Sequence, residues 1–213
     1  MKTWMVAACL ALAAGLSGCA AVQPYDFTEF QTAPPRSILV VPVVNRSLDV
    51  DASNYVLSTL SVPLAELGYY VFPVNTVKIV LEQEGFYEPE QVRKMDASQL
   101  ASLFGADAVL YVTINRWDAQ YVLISTTVTV EFEYEMTRKD GVRIWHATKR
   151  MQYSPQQQNQ QGVHPLAVLI AAAVSAAATR AAPNYLPLTQ QANNQVLVVE
   201  STKLPRGPYA TLK

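Results

Sequence analysis

The sequence predicts an α/β fold: a single domain whose mixed sheet includes a long antiparallel hairpin, with helices packed on it. Three observations predict this. Between residues 37 and 116, short apolar runs alternate with helix-like stretches in the order strand, helix, strand, helices, strand. That order belongs to α/β folds. From Thr127 to Met136, apolar and polar residues alternate strictly, the period of a half-exposed strand. Asp140-Gly141 follows, a strong hairpin turn signal.

The chain opens with Met1-Lys2, an apolar run from Trp4 to Leu16, then Ser17-Gly18-Cys19. A basic start, an apolar middle and a small-residue cleavage site are the layout of a secretory signal over residues 1–18. The middle is too short to span a bilayer, which takes about 20 apolar residues. Leu16-Ser17-Gly18-Cys19 resembles the lipobox of bacterial lipoproteins. The resemblance implies cleavage before Cys19, diacylglycerol on its sulfur and an acyl chain (palmitate) on the new amino group. A thiolate is the nucleophile such chemistry needs, and two or more chains give stable anchoring without a span. With Ala20 rather than Asp after the cysteine, it further implies the outer membrane, the periplasmic face ahead of the cell surface. Residues 19–35 carry three prolines, Pro24, Pro34 and Pro35, and no apolar period. They read as an extended or disordered lipidated tether of roughly 55 Å reach at most. Residues 36–213 are the expected domain.

Within it, Ser37–Val44 is a β-branched run, read as a strand buried on both faces. Pro42 lacks an N–H and places an edge or an end there. Asp51 or Ser53 caps a helix from about Asn54 to Leu67, kinked or stopped early at Pro63, with Gly68 as its C-terminal stop. Tyr69–Pro73 is a short strand. Asn75 caps a helix carrying Val77, Val80 and Leu81 that Gly85 ends. Asp96 and Gln99 form a capping-box pattern before a helix to Phe104, stopped by Gly105. Ala108–Arg116 is a strand. Tyr121–Thr137 follows, with Val128, Val130, Phe132, Tyr134 and Met136 on one face and Thr127, Thr129, Glu131, Glu133 and Glu135 on the other. Val142–Tyr153 returns. If Lys139 pairs with Val142, Met136 meets Trp145, Tyr134 meets Ala147, Glu131 meets Arg150 and Glu135 meets His146; Phe132 opposite Lys149 fits badly. Gln156–Gln161 is a polar, mobile loop. Leu166–Ala178 reads as an alanine-rich helix; its row Ala167, Ala171, Ser175 suits either a core helix or a self-association surface. Leu188–Thr202 is a last helix, with Val196–Val199 alternatively a strand. Leu204–Tyr209 is a turn-rich end.

Composition narrows the chemistry. Removal of the leader takes away Cys9, and lipidation occupies Cys19, leaving neither a free thiol, a disulfide nor a cysteine-based zinc site. Only His146 and His164 are histidines, and the net charge is −1. No large basic field exists to attract nucleic acid. Dinucleotide, P-loop, nucleophile-elbow and zinc-protease motifs are missing from the sequence. Glu131, Glu133 and Glu135 form a carboxylate row, but a regular strand lacks the wrapping oxygens that calcium wants, so the row reads as a solvated face. Glu135 with His146 resembles an orienter and base, with no serine or cysteine nucleophile placed to join them. Trp117, Tyr121 and Tyr111 read as core aromatics ahead of a groove lining. No catalytic residue, metal or cofactor is expected; the chain reads as a non-enzyme.

Leu39–Asn45, Gly105–Val112 and Leu204-Pro205-Arg206-Gly207-Pro208-Tyr209, in this order behind the lipobox, resemble the bacterial lipoproteins of unknown function typified by a neisserial genome-derived antigen. More remotely, Gly105-Ala106-Asp107-Ala108 and its strand resemble the N-terminal domain of the translocation protein TolB and the domains of the curli secretion lipoprotein and of lipoprotein activators of peptidoglycan synthases. The resemblance implies a periplasmic α/β domain on a lipid tether and a homo-oligomer. It carries over no catalytic residue. The outward glutamates argue against a pore formed by this hairpin. The expected function is protein binding in an envelope transport or assembly system. The contact surface would be the hairpin at Asp140-Gly141 with the alanine-rich helix. The alternatives are an activator of a cell-wall synthase and a hydrolase joining His146, Glu135 and a serine or threonine.

Overall fold

The structure, a computed structural model, describes residues 24–122, 125–153 and 185–210. The signal segment, Cys19, the glutamine-rich loop and the alanine-rich segment lie outside the described residues. The fold is the expected α/β arrangement. Strands β1 (Ser37–Val40), β2 (Val44–Asn45), β3 (Tyr70–Val71), β4 (Ala108–Val122), β5 (Ser125–Arg138) and β6 (Arg143–Tyr153) form one sheet in the order β3-β1-β4-β5-β6, with β2 also on β4. β1 pairs parallel with β3 and β4; β4, β5 and β6 pair antiparallel.

Pro42 falls, as expected, where a strand ends and an edge begins: β1 stops at Val40, and β2 beyond it pairs with β4 alone among the described residues. Val40 faces Leu110 and Val44 faces Thr113, so one extra residue is held in the Val41–Val43 segment. A bulge is where a missing N–H does least harm inside a sheet.

Helix α1 (Thr28–Thr32) is followed by α2 (Ala52–Glu66), α3 (Val74–Gln83), α4 (Pro89–Arg93), α5 (Ala97–Phe104) and α6 (Leu186–Asn194), which runs on as a π-turn over Gln195–Val199. The strand alternative for residues 196–199 is therefore excluded. α2 passes through Pro63 without stopping. The ring falls in the last turn, forfeits one backbone bond and is itself buried, which offsets part of that loss. α3 begins at Val74 with Pro73 in the cap position, not Asn75. At α5, Asp96 occupies the cap position but makes no side-chain capping bond.

The sheet has a core on each face. On one, Val56, Leu60 and Leu64 of α2 and Leu188, Ala192 and Val196 meet Leu110, Val130, Phe132, Tyr134 and Met136. On the other, Val77, Leu81 and Leu100 cover Leu39, Val109 and Tyr111. A buried polar chain links the first core's layers. Tyr134 Oη donates to Asn193 Oδ1 at 2.5 Å, Asn193 Nδ2 to Thr59 Oγ1 at 2.7 Å, and Thr59 Oγ1 to the Val56 carbonyl at 2.8 Å. Each polar group thereby has a partner, without which its burial costs about 1–3 kcal/mol.

The hairpin register is as expected over most of its length. Met136 faces Trp145, Tyr134 faces Ala147, Glu135 faces His146 and Glu131 faces Arg150. The turn differs. Arg138, not Lys139, closes the loop against Val142, with Arg138 N–H donating to the Val142 carbonyl at 2.8 Å. Gly141 takes φ +86°. A three-residue loop would slip every pair by one, but the extra residue Ile144 forms a bulge that restores the register. Both Ile144 and Trp145 are consequently buried. Lys149, the misfit beside Phe132, runs its stem along the core and pairs with Glu200.

Residues 24–35 are not an extended tether. Phe30 is only 2% exposed, within the main core. Tyr25 and Phe27 pack against that core, their rings 4.6 Å apart. The Tyr25 hydroxyl accepts the His146 backbone N–H at 2.8 Å, and Arg138 donates to the Glu29 carbonyl at 3.1 Å. The three aromatics Tyr25, Phe27 and Phe30 outweigh the prolines that made the segment look unstructured.

Candidate functional site

A large concave surface sits where α2 ends and residues 204–210 cross it. Gly68, at φ +90°, stops α2 and lets residues 204–210 cross it as a strap. Gly207 N–H donates to the Leu67 carbonyl at 2.8 Å and Tyr209 N–H to the Gly68 carbonyl at 3.0 Å. The buried Tyr69 hydroxyl donates to the Pro205 carbonyl at 2.5 Å. The two backbones meet so closely that a Cβ on Gly68 would lie 2.1 Å from Ala210 N, and one on Gly207 2.4 Å from the Gly68 carbonyl oxygen. Glycine is needed at both positions for approach, and at Gly68 for its φ as well. Burial raises the Tyr69 hydroxyl well above the usual phenol range, so it stays a neutral donor.

Beside the strap lies a groove of about 770 Å³, lined by Ala65, Glu66, Leu67, Val198, Lys203 and Leu204 with Pro205, Arg206, Tyr209 and Ala210. This is the size of a ligand site. Its floor holds the buried Leu67 and Leu204. Its rim carries exposed Lys203 and Arg206, which form no salt bridge among the described residues. Arg36 donates to the Tyr209 hydroxyl at 3.1 Å, its guanidinium 5.7 Å from the ring centroid. In the sequence Leu204–Tyr209 read as a turn-rich end and as one of the three segments of family resemblance. Nothing there placed it against Gly68, and Arg36 gave no signal at all.

The Gly105-Ala106-Asp107-Ala108 segment is a clamp. The Asp107 carboxylate accepts from the backbone N–H groups of Arg36 and Ser37 at 3.1 and 3.2 Å, from Ser37 Oγ at 3.2 Å and from Lys139 Nζ at 3.3 Å. It ties the starts of β1 and β4 to the hairpin turn. Partial burial alone would raise its pKa, but the bonds from Arg36, Lys139 and Ser37 outweigh it and hold the carboxyl below its usual range.

Two glutamates of the row are paired, and Glu133 is exposed. Glu135 lies 3.1 Å from Arg93 and Glu131 4.0 Å from Arg150. Arg93 also stacks 4.5 Å over the Tyr111 ring, and burial above all pushes the Tyr111 hydroxyl up to about 12. Arg93, Tyr111 and Glu135, with Asp96, Asp140 and Arg143, line an open cleft of about 390 Å³ beside the hairpin turn. His146 engages the Tyr25 hydroxyl through Nδ1 at 3.3 Å, so Glu135 and His146, though cross-strand neighbours, turn to different partners. Trp117 stacks on Tyr185 at 4.4 Å in the first core, while Tyr111 belongs to the second; the two line no common groove. Among the described residues no group of three or more His, Cys, Asp or Glu is placed to hold a metal ion. No helix of the described residues is long and apolar enough to cross a membrane.

The three segments that carry the sequence resemblance thus occupy the parallel strands, the Asp107 clamp and the strap. A family model matches the chain over residues 25–209, spanning all three. The chain belongs to the GNA1162-like lipoprotein family. The Neisseria meningitidis serogroup B lipoprotein NMB1124/NMB1162 is 34% identical over 139 residues, 64% of this chain and 65% of that relative, so the match spans just under two thirds of its length. The crystal structure of lipoprotein GNA1162 from Neisseria meningitidis superposes with a TM-score of 0.56 at 30% identity, over 68% of this chain and 99% of that one. The LpoB C-terminal domain from Salmonella enterica reaches a TM-score of only 0.39 at 22% identity, over 59% of this chain and 90% of that one. That likeness is too loose to carry function.

Proposed function

We propose that this chain is a non-enzymatic lipoprotein, lipidated at Cys19 and held on the periplasmic face of the outer membrane. Its domain binds protein partners, a second copy of itself among them, in an envelope transport or assembly system. The observation that carries this reading is the short link. Tyr25 is already packed against the core and hydrogen-bonded to β6. Six residues from Cys19 to Tyr25 reach about 20 Å at most, against the roughly 55 Å of a free tether. A leash that short confines the domain to the bilayer surface and raises its effective concentration towards partners there.

The same length counts against an activator that must cross the peptidoglycan layer. A hydrolase reading is weakened because Glu135 and His146 are committed to Arg93 and Tyr25. The test is crosslinking of the full-length protein in intact cells, followed by affinity purification and mass spectrometry. Reproducible envelope-protein crosslinks that vanish in Cys19→Ser support the proposal. Recovery of self-contacts alone removes the partner-binding part of it.

A further inference from the structure

We propose that the groove between the end of α2 and the strap binds an acidic peptide segment bearing an apolar anchor side chain. This deepens the protein-binding reading above and rests on it. The groove combines two features that a solvated surface does not need. Leu67 and Leu204 form an apolar floor, with Val198 and Pro205 beside them. Lys203 and Arg206 stand at its edge without ion-pair partners among the described residues, and Arg36 adds a third cation on Tyr209. Among the described residues Glu66 is the one carboxylate in the lining. In a chain of net charge −1, this is a local basic site, and complementary charge is what selects and orients a partner at an interface rim.

The backbone chemistry favours carboxylates over a phosphate headgroup. Phosphate sites use converging free backbone N–H groups. Here Gly207, Tyr209 and Ala210 spend theirs on the carbonyls of Leu67, Gly68 and Gly207. The donors left are long, flexible cationic side chains, three positions apart along the strap, which suit carboxylates spaced along a peptide. Those same hydrogen bonds, with the Gly68–Gly207 contact, hold the groove in shape before binding, which lowers the ordering cost of association. Tyr209, 56% exposed, supplies a rigid aromatic of the kind that anchors interfaces.

The test uses the full-length lipoprotein in detergent and a fluorescein-labelled peptide, Asp-Glu-Leu-Asp-Phe-Glu-Leu-Asp, read by fluorescence anisotropy. Saturable binding is expected, weakening with added salt and by about tenfold in the K203E/R206E double variant, as inverting two rim charges implies. Neither residue has an ion-pair partner to lose among the described residues, and an unchanged Tm verifies that the variant is folded. The proposal is overturned if the double variant binds equally, or if the peptide with lysine in place of each acid binds as well. Binding confined to phosphatidylglycerol vesicles also overturns it and points to a lipid headgroup. A photo-crosslinker placed at Tyr209 or at Glu133 in cells separates this proposal from the broader one. Peptide-competable crosslinks from Tyr209 support the groove. Envelope-protein crosslinks from Glu133 alone overturn the groove while protein binding stands. Silence from both overturns both.

Discussion

Replacing Gly68 with alanine isolates the strap energetically. Two effects act at this position and can be separated. The first is conformational: at φ +90° a Cβ costs about 1 kcal/mol, at the lower end of the left-handed penalty. The second is steric: the new Cβ would sit 2.1 Å from Ala210 N and 2.5 Å from its Cα, backbone atoms that no rotamer change can clear. The strap must lift, breaking the bonds from Gly207 N–H to Leu67 and from Tyr209 N–H to Gly68, each worth about 1 kcal/mol. Gly68→Ala is therefore expected to lose about 3 kcal/mol. Gly85 is the internal control, with the same φ of +90° and nothing within 4 Å of its Cβ position; Gly85→Ala should lose only about 1 kcal/mol. For a chain of this size the two correspond to falls in Tm of about 6–12 °C and 2–4 °C. Urea titrations give the free energies, and hydrogen exchange at the Gly207 and Tyr209 amides reads the strap directly. Equal losses in the two variants, or unchanged exchange at those amides in Gly68→Ala, would refute the reasoning.

Cys19→Ser is expected to move the protein from the detergent-rich to the aqueous phase in Triton X-114 partitioning; retention in the detergent phase would count against the anchor. Tyr134→Phe leaves the buried Asn193 carbonyl without its donor and should cost about 1–3 kcal/mol by urea denaturation, while a loss near zero would mean that this polar chain adds nothing net. Asp107 is held below the usual carboxylate range when folded, so its contribution is full above the unfolded value of about 3.9 and is lost as pH falls through the lower folded one. The stability gap between wild type and Asp107→Asn should therefore be constant near neutrality and narrow on acidification below about pH 4; a gap that widens there would contradict the clamp.

What the sequence made legible was periodic. The alternation from Val128 to Met136 set which face is buried, and opposite charges at Glu131 and Arg150 agreed with it, so most of the hairpin register was readable before any coordinates. The bulge at Ile144 was not. It is visible only as two adjacent apolar residues, Ile144-Trp145, which also suit a strand covered on both faces. Single-residue rules failed where burial overrode them. Pro63 should have ended α2 but is buried in its last turn. Pro42 did mark the end of β1 at Val40, but not that β2 would resume on β4 one residue out of step. Pro34 and Pro35 made residues 19–35 look like a tether, although Tyr25, Phe27 and Phe30 had enough apolar area to dock them.

The groove was illegible for a different reason: it is made by long-range closure. Arg36, Gly68, Tyr69 and Leu204–Tyr209 come from three separate stretches, and each has a bland local explanation as a strand start, a helix stop or a turn. Only their juxtaposition reveals why Gly68 and Gly207 both lack side chains, since Ala210 fills the Cβ space of Gly68 and the Gly68 backbone fills that of Gly207. The same juxtaposition gives the cations their meaning. Scattered along the sequence, Arg36, Lys203 and Arg206 are ordinary solvated residues. Gathered around Tyr209 and an apolar floor, they form a basic site.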